Sequence, residues 1–307
     1  MGETPMPPHT MSSAPPPLIT FGVPAYNRPA LLAETLASLA AQTAAVDYEV
    51  IVCDDGTLPE TAATVARFPS DKFFYHRNTP TLGPVSNWNE ALRRARGTWV
   101  MVLHEDDTLY PWYLAAVLPH LGENLAAICT RTVSGATMPA LPVPTSPATA
   151  AAFAYPPRYF LKSAMTPFPG VLIRRELAEK LGGFSEQAGP LADYEFWYRL
   201  ACAGRIEVVR EVAAFYRVAD GQWTERAWPT MIRQTHLLRL RIAGEQFPKS
   251  PRLGRWLARF FTFRNALSYD ARFPQKPASL ARALRLGSIP FARLPSGWVW
   301  AALKRLS

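Results

Sequence analysis

The sequence predicts an α/β protein with a mostly parallel sheet flanked by helices. Short apolar runs alternate with helical segments of about 10 to 15 residues, as in βαβ units. Polar clusters directly follow three of the apolar runs. The chain has 307 residues, of which 49% are hydrophobic, so it can bury the core of one large domain or of two small ones.

The first half of the chain supplies most of the expected elements. In chain order we expect strands at residues 18–23, 48–53, 73–76 and 100–103, with helices beginning at Pro29, at Glu60 and before Trp88. A proline suits the first turn of a helix, where its missing N–H would have no acceptor. Gly56 allows a tight turn after the second strand. The alternation predicts successive parallel strands.

The second half continues this pattern less regularly. Residues 139–157 contain six prolines and six alanines, and we expect a long loop there. Strands are expected at residues 171–174 and 206–209, with a helix at residues 193–203 between them. Because sheet-like sequence returns after the loop, we do not expect a domain border at this point.

The chain is expected to divide into three regions. Residues 1–17 hold six prolines without apolar periodicity, which predicts a disordered lead-in. Residues 18–230 form the expected α/β domain. Residues 231–307 are expected to be helical, and they hold 15 Lys/Arg against two acids, a net charge of +13. Since the whole chain carries +9, the first 230 residues carry −4.

The basic C-terminal region has several open interpretations. Its aromatic residues interleave with arginines, which suits peripheral contact with an anionic membrane. Solvated basic helix faces and packing against a partner subunit fit the same composition. A basic tail is also typical of nucleic-acid binding, but we expect no nucleic-acid partner here.

The cysteines and the lack of long apolar runs indicate the cellular compartment in which the protein is expected. Cys53, Cys129 and Cys202 are far apart and lack metal-ligand spacing, so neither a disulfide framework nor a zinc site is expected. No run of 18 apolar residues and no signal-peptide pattern occurs. We expect a cytoplasmic protein, with peripheral contact at the inner face of the cell membrane.

Three consecutive acids follow the fourth expected strand. Glu105, Asp106 and Asp107 come directly after His104, at the carboxyl end of that strand. Adjacent carboxylates repel one another, so such a cluster is favourable around a divalent cation that also holds a phosphate. The competing interpretation is an acidic turn that caps the next helix.

Two further polar clusters are expected at the same edge of the sheet. Residues 26–28 follow the first strand, and Asp54 with Asp55 follows the second. Open α/β sheets bind ligands at this edge. The sequence has no G-x-G-x-x-G and no G-x-x-x-x-G-K-[ST] pattern, which argues against dinucleotide and phosphate-loop sites. It has no G-x-S-x-G pattern either, which argues against α/β-hydrolase chemistry.

Seven segments together carry a more specific pattern. They are Val23-Pro-Ala-Tyr-Asn-Arg28, Val50-Ile-Val-Cys-Asp-Asp-Gly-Thr57, Gly83-Pro-Val-Ser-Asn-Trp-Asn-Glu-Ala91, Ala95-Arg-Gly97, Leu103-His-Glu-Asp-Asp107, Leu181-Gly-Gly-Phe184 and Asp193-Tyr-Glu-Phe-Trp-Tyr-Arg-Leu200. In this order they resemble family 2 glycosyltransferases of the GT-A fold, which is a Rossmann-like α/β fold. The resemblance spans about residues 18–217.

The resemblance implies an inverting, metal-dependent enzyme of hexosyltransferase type. Such an enzyme moves a sugar from a nucleotide-diphosphate donor, here a UDP- or dTDP-sugar, to an acceptor hydroxyl. The acceptor is expected to be a glycan or a lipid-linked glycan in cell-surface polysaccharide or glycolipid synthesis. The expected cofactor is Mg²⁺ or Mn²⁺.

The resemblance also implies roles for individual residues. The expected nucleotide-binding residues are Pro24, Ala25, Tyr26, Arg28, Asp54, Asp55 and Asn89. The expected metal ligands are Asp106 and Asp107, with His104 where the family more often has an aspartate. A carboxylate such as Asp54 can accept a hydrogen bond from a uracil or thymine imide. A capping turn is the competing interpretation of the Asp54–Asp55 pair.

The resemblance makes Asp193 the general base that takes the proton of the acceptor hydroxyl. The competing interpretation is a helix N-cap. Ala192 replaces the glutamate that usually precedes this aspartate, and Glu195 is a candidate substitute. Ala219 and Asp220 stand where related sequences often carry a histidine. Together with His104, these departures keep open a non-catalytic nucleotide- or glycan-binding relative. A nucleotidyltransferase is a weaker alternative, since it would normally need a glycine-rich, basic phosphate loop after the first strand.

Overall fold

The computed structural model describes residues 15–144, 153–165, 167–218 and 223–272. Most of the proline-rich lead-in and the last 35 residues of the basic region lie outside this part, as do Ala219 and Asp220. The middle of the loop expected at residues 139–157 also lies outside it.

One sheet runs through the described part of the chain. Its nine strands are β1 (Ile19–Ala25), β2 (Tyr48–Asp54), β3 (Phe73–Arg77), β4 (Trp99–Val102), β5 (Thr108–Leu109), β6 (Leu125–Gly135), β7 (Phe153–Ala154), β8 (Val171–Arg174) and β9 (Arg205–Arg217). Their order is β3-β2-β1-β4-β8-β6-β9-β5, and β7 pairs with β9.

Helices cover the sheet and extend beyond it. The α-helices are α1 (Pro29–Ala40), α2 (Glu60–Val65), α3 (Pro84–Arg94), α4 (Tyr113–Val117), α5 (Arg175–Lys180), α6 (Ala192–Ala203), α7 (Trp223–Gln246) and α8 (Pro251–Arg272). Short 3-10 helices lie at Leu118–His120, Pro157–Leu161 and Glu186–Leu191.

The two halves of the sheet differ in strand direction. Strands β1 to β4 are parallel, which places their carboxyl ends on one edge. Strand β8 is antiparallel to both β4 and β6, and β5 and β7 are antiparallel to β9, whereas β6 and β9 are parallel. The predicted α/β class is confirmed, with parallel pairing concentrated in the half that carries the polar clusters.

The central strands are buried along their whole length because helices cover both faces of the sheet. Every residue of β1 and β2 is buried. Side chains alternate between faces: Phe21 and Val23 join the apolar cluster that contains Leu32 and Leu36 of α1, whereas Ile51 packs on the opposite face. The strand ends are therefore held firmly by the core.

The helices α7 and α8 pack against each other and against the body of the protein. Buried Ile242 of α7 and Phe261 of α8 belong to the same apolar cluster as Phe160. The expected border between residues 230 and 231 falls inside α7. Among the described helices, none combines the length and apolarity that a bilayer crossing requires.

Candidate active site

The carboxyl ends of β1, β2 and β4 bring the predicted polar clusters together. The loop after β1 is joined to the loop after β2 by Asn27, whose Oδ1 accepts hydrogen bonds from the N–H groups of Thr57 at 2.7 Å and Leu58 at 3.1 Å. Asn27 adopts a left-handed conformation with φ of 59°. Asparagine tolerates this region better than most residues, because its short side chain bonds locally.

The loop after β1 also contacts the acidic loop after β4. Glu105 is buried, and its carboxylate accepts hydrogen bonds from the N–H of Tyr26 at 2.9 Å and from Nε of Arg28 at 2.8 Å. Nη1 of Arg28 donates to Oδ2 of Asp106 at 2.6 Å. One arginine thus connects the expected nucleotide-binding loop to an expected metal ligand.

Pro24 and Ala25 form the buried end of β1, where the carbonyl of Ala25 accepts the N–H of Asp55 at 2.9 Å. Tyr26 follows them and is 56% exposed. Its side chain is therefore accessible at the sheet edge, next to the end of β2 that carries Asp54 and Asp55.

The three predicted metal ligands lie close together. The potential ligand atoms of His104, Asp106 and Asp107 all lie within 4.8 Å of one another. Nε2 of His104 and Oδ2 of Asp107 are buried and have no hydrogen-bond partner within the described part of the chain. Buried polar atoms are rarely left unsatisfied. The donor set of imidazole and carboxylates therefore fits a divalent cation.

The pKa shifts of His104 and Asp107 also fit a divalent cation at this cluster. Burial, followed by the neighbouring charge of Asp106, raises the pKa of Asp107 well above its usual value. Burial lowers the pKa of His104 to about 4, although Asp106 opposes this shift. A neutral imidazole keeps a lone pair for coordination. Two carboxylates in a buried site gain most from a positive charge placed between them.

Aromatic rings fix the orientation of His104. Its ring stacks on Trp88 with centroids 5.3 Å apart, and the ring of Phe168 lies 4.4 Å away. Phe168 also contacts Trp197 of α6 at 5.6 Å. This aromatic layer connects His104 to α6, the helix that carries Asp193.

Asp193 lies in the first turn of α6, one helical turn before Trp197. Residues four apart share a helix face, so Asp193 and Trp197 point to the same side. Oδ1 of Asp193 accepts the N–H of Tyr194 at 2.7 Å. Burial raises the pKa of Asp193 to about 6, against the opposing effect of this backbone hydrogen bond. A carboxylate with this pKa is a competent general base near neutral pH.

Glu195 does not support Asp193. It is buried in an ion cluster with Arg199, whose Nε lies 2.8 Å from Oε2, and with Arg241 of α7, whose Nη2 lies 2.9 Å from Oε1. Arg199 also donates to the carbonyls of Leu181 and Gly183, both at 2.6 Å. This ion cluster instead joins α6 to α7 and to the loop before the 3-10 helix Glu186–Leu191.

Asp54 and Asp55 organise the loop that follows β3. Oδ1 of Asp54 accepts the N–H of Gly56 at 2.9 Å, and its Oδ2 accepts the hydroxyl of Tyr75 at 2.8 Å. The carboxylate of Asp55 accepts the N–H groups of Leu82 at 2.7 Å and Gly83 at 2.8 Å. Asp54 is fully buried and Asp55 is 3% exposed, so in this structure both carboxylates serve the surrounding loops. Their nucleotide-binding roles stay predictions.

Asn89 is engaged with the backbone of Phe184. Its Nδ2 donates to the Phe184 carbonyl, and its Oδ1 accepts the Phe184 N–H, both at 2.8 Å. Gly183 has φ of +67°, and a Cβ there would lie 2.5 Å from Oδ1 of Asn89. The glycine is needed for this contact. The nucleotide-binding role of Asn89 stays a prediction, and its observed contacts are structural.

Sequence reasoning missed several residues that shape the site. Thr35 of α1 is buried, with its hydroxyl 2.8 Å from the carbonyls of both Glu105 and Asp107. Arg217, at the end of β9, donates its N–H to Oδ1 of Asp107 at 3.0 Å. The sequence motifs identified the acidic residues of the loop after β4. They gave no signal for Thr35 and Arg217, because α1 and β9 lie far from this loop in sequence.

The fold and site define an α/β protein with clustered acidic residues at the carboxyl edge of its sheet, and comparison with known sequences specifies the family. Residues 20–182 match Glycosyl transferase family 2, which is more than half of the chain. The chain therefore belongs to this family. Asp193 lies beyond the matched segment.

Individual relatives agree with this assignment. The succinoglycan biosynthesis protein ExoO of Rhizobium meliloti is 28% identical over 313 residues, covering 95% of this chain and 87% of ExoO. Other curated relatives match over shorter stretches, and the alignments span 30%, 33% and 62% of the length of three of them.

Solved structures confirm the GT-A fold. TarS 1-349 of S. aureus in complex with UDP-GlcNAc has a TM-score of 0.63 and 19% identity, covering 89% of this chain and 81% of that chain. The mannosyltransferase PcManGT of Pyrobaculum calidifontis, in complex with GDP-Man and Mn²⁺, has a TM-score of 0.55 and 20% identity. Its match covers 95% of this chain and 80% of that one.

Proposed function

We propose that the protein is an inverting, metal-dependent glycosyltransferase that uses a nucleotide-diphosphate sugar. The observation that carries this proposal is the cluster of His104, Asp106 and Asp107 beside the loop of Tyr26 and Arg28. A cation site next to a guanidinium suits a diphosphate, which carries several negative oxygens.

The donor would bind along the carboxyl edge of β1, β2 and β4. The base would lie against exposed Tyr26. Asp54 is fully buried, so its loop would have to move for the carboxylate to accept the imide N–H of uracil or thymine. A UDP- or dTDP-sugar is therefore the preferred donor class. The complex of TarS with UDP-GlcNAc supports this choice, whereas PcManGT is complexed with GDP-Man.

The three clustered ligands would hold Mn²⁺ or Mg²⁺. When bound, the cation would stabilise negative charge on the diphosphate as it leaves. An imidazole ligand favours Mn²⁺ over Mg²⁺, since Mg²⁺ prefers oxygen ligands. The Mn²⁺ in the PcManGT complex supports the same choice.

Asp193 would remove the proton from the acceptor hydroxyl as that oxygen attacks the anomeric carbon. The attack comes from the face opposite the leaving diphosphate, so the configuration inverts. Burial of Asp193 supports this role, because it raises the pKa towards the value at which a base is most effective.

The acceptor is proposed to be a glycan or a lipid-linked glycan in polysaccharide or glycolipid synthesis. The similarity to ExoO supports polysaccharide synthesis. A relative from Campylobacter jejuni, 31% identical over 116 residues, is a β-1,3-glucosyltransferase named for an undecaprenol-linked acceptor. A lipid-linked acceptor would bring the enzyme to a membrane surface.

A row of arginines on α8 supports peripheral membrane contact. Arg252, Arg255 and Arg259 are exposed at helical spacing, and none forms an ion pair with another described residue. Half-buried Trp256 lies between them. Arginines interleaved with an aromatic ring suit the headgroup region of an anionic bilayer.

Nucleotide binding and product formation test the catalytic proposal. Isothermal titration with UDP, dTDP and GDP in the presence of Mn²⁺ should show binding of a uracil or thymine nucleotide. A donor screen read by product mass should then find transfer, and Asp193→Asn should abolish turnover while nucleotide binding persists. Asp47→Asn, at a surface loop, is the matched control. Failure to bind any of the nucleotides would contradict the proposal.

Vesicle flotation tests the membrane contact. The full chain should float with anionic vesicles of phosphatidylglycerol and phosphatidylcholine, but not with phosphatidylcholine alone. Replacing Arg252, Arg255 and Arg259 with glutamine should reduce binding by tenfold or more, since each basic residue near the surface is worth about 1 kcal/mol. Equal binding to both vesicle types would contradict an electrostatic contact.

A further inference from the structure

We infer that Arg28 competes with the divalent cation for Asp106, so that binding of the nucleotide releases a metal ligand. This inference rests on the proposed function and adds a coupling between its two ligands. Arg28 would have two alternative partners, the carboxylate of Asp106 and the diphosphate of the donor.

The contacts of Arg28 divide its guanidinium between two acids. Nε contacts Oε1 of Glu105 at 2.8 Å, while Nη1 contacts Oδ2 of Asp106 at 2.6 Å. Asp106 is buried, with only 8% of its side chain exposed. A charge-assisted hydrogen bond at this distance, in a site shielded from water, is among the stronger polar contacts. The guanidinium thus supplies positive charge to the acid that is expected to bind the cation.

Glu105 is held more firmly than the guanidinium of Arg28 that it contacts. Glu105 is fixed, because its second oxygen accepts the N–H of Tyr26 and its carbonyl accepts the hydroxyl of Thr35. Arg28 itself is 44% exposed in its side chain. The outer end of the guanidinium can therefore turn away from Asp106 while Nε stays on Glu105. Glu105 is the pivot, and its role is to position Arg28.

Arg28 and the divalent cation would compete for Asp106 because both are positively charged. A cation held by His104, Asp106 and Asp107 would lie within a few ångströms of Nη1, where two positive charges repel each other. A diphosphate offers the guanidinium another set of oxygens with suitable geometry. Once Arg28 binds the diphosphate, Asp106 is free for the cation. Each ligand therefore raises the affinity for the other by the same factor.

The Arg28→Gln variant distinguishes competition from a purely structural role of Arg28. Competition predicts that the affinity for Mn²⁺ rises while the affinity for UDP falls. Mn²⁺ affinity without nucleotide, measured by electron paramagnetic resonance, should rise about threefold or more. UDP affinity at saturating Mg²⁺, measured by isothermal titration, should fall about tenfold, the effect of losing one charged hydrogen bond. In the native protein UDP should tighten Mn²⁺ binding, and this coupling should shrink in the variant.

Arg77→Gln is the matched control. Arg77 lies 3.5 Å from Asp54 at the neighbouring strand end, so its replacement removes the same charge without touching the acidic loop. Its Mn²⁺ affinity should stay near that of the native protein. Arg28→Lys, which keeps the cation, should retain weak Mn²⁺ binding without nucleotide, and it serves if Arg28→Gln fails to fold.

The outcomes separate the two proposals. If the native protein binds Mn²⁺ and UDP, but Arg28→Gln weakens Mn²⁺ binding or leaves it unchanged, the competition is refuted while the proposed function stands. If Arg77→Gln strengthens Mn²⁺ binding as much as Arg28→Gln does, the effect is one of net charge and the inference is again refuted. If the native protein binds neither ligand, both proposals fail.

Discussion

The backbone N–H of Arg217 donates to Oδ1 of Asp107 at 3.0 Å, which fixes the acidic loop to the end of β9. Nε of the same arginine donates to the carbonyl of Asp106 at 3.0 Å. On the other side of the loop, the hydroxyl of Thr35 contacts the carbonyls of Glu105 and Asp107. The acidic loop is therefore held from two sides before any ligand binds, which is the preorganisation that a metal site needs.

Thr35→Val should weaken both folding and metal binding. Valine has nearly the same shape but removes the one hydroxyl proton that the two buried carbonyls share, at a cost of about 1 to 3 kcal/mol in the free energy of unfolding. Mn²⁺ affinity should fall with it, because the loop loses one of its two supports. Urea denaturation and Mn²⁺ titration measure the two effects. Thr43→Val is the control, since its hydroxyl makes an exposed contact with the Pro111 carbonyl; equal effects in both variants would contradict this prediction.

The pH dependence of turnover should follow the titration of Asp193. Its pKa is raised to about 6, so the active carboxylate is lost as the pH falls through this value. The kcat/KM for the acceptor should therefore rise about tenfold per pH unit below about pH 6 and level off above it. Steady-state rates between pH 4.5 and 8 give the profile. A profile without a limb near pH 6 would be at odds with Asp193 as the base.

Asp193→Asn should also change the dependence of stability on pH. The native carboxyl has a pKa of about 6 in the folded state and about 3.9 when unfolded, so folding favours the protonated form. The stabilisation that this proton provides is lost as the pH rises through about 4 to 6. Asparagine does not ionise, so the variant should gain stability relative to the native protein at pH 8, by at most about 3 kcal/mol. Thermal unfolding at pH 5 and pH 8 measures the difference, and a relative loss at pH 8 would reverse the predicted sign.

The sequence predicted the parallel half of the sheet well, because its signals are local. The strand expected at residues 48–53 matches β2 to within one residue, and α1 begins at Pro29 as expected. Strand β9 extends to Arg217, well past the expected end at residue 209. Its second half pairs with β5 and β6, which lie far away in sequence, and Arg210 with Glu211 interrupts the apolar pattern before residues 212–216.

The contacts within the candidate site likewise depend on residues that are distant in sequence. The motifs identified the acids and their position at the sheet edge, but residue type alone did not give their partners. Glu195 was a candidate support for Asp193, yet Arg241, 46 residues later, holds it elsewhere. The contact of Arg28 with Asp106 spans 78 residues. Such pairs depend on how β1, β4 and α7 are placed in the fold, which periodicity does not encode.

Glu195→Gln should destabilise the protein while sparing the chemistry. The buried carboxylate is paired with Arg199 and Arg241, and its loss leaves Arg199 without an acid, while Arg241 keeps Glu245 at 3.7 Å. Because both guanidinium groups are partly exposed, the loss should cost about 1 to 3 kcal/mol, less than for a fully buried pair. Thermal unfolding should show this loss, while kcat of the folded variant should change less than about threefold. Glu179→Gln, which breaks a half-exposed pair with Arg175, is the control and should cost under about 1 kcal/mol. A large loss of kcat in Glu195→Gln would instead place Glu195 in the catalytic machinery.

His104→Asp should shift the metal preference from Mn²⁺ towards Mg²⁺. The buried Nε2 of His104 is the nitrogen donor of the cluster, and aspartate would convert the site to oxygen ligands, which Mg²⁺ prefers. The variant also loses the ring that stacks on Trp88, so its stability should fall by about 1 to 3 kcal/mol. The ratio of Mn²⁺ to Mg²⁺ affinity, measured in the folded variant by titration, should drop about tenfold. The surface substitution His120→Asp adds the same charge, and it should leave this ratio unchanged. If the ratio for His104→Asp equals the native one, His104 does not ligate the cation and only orients the loop through its aromatic neighbours.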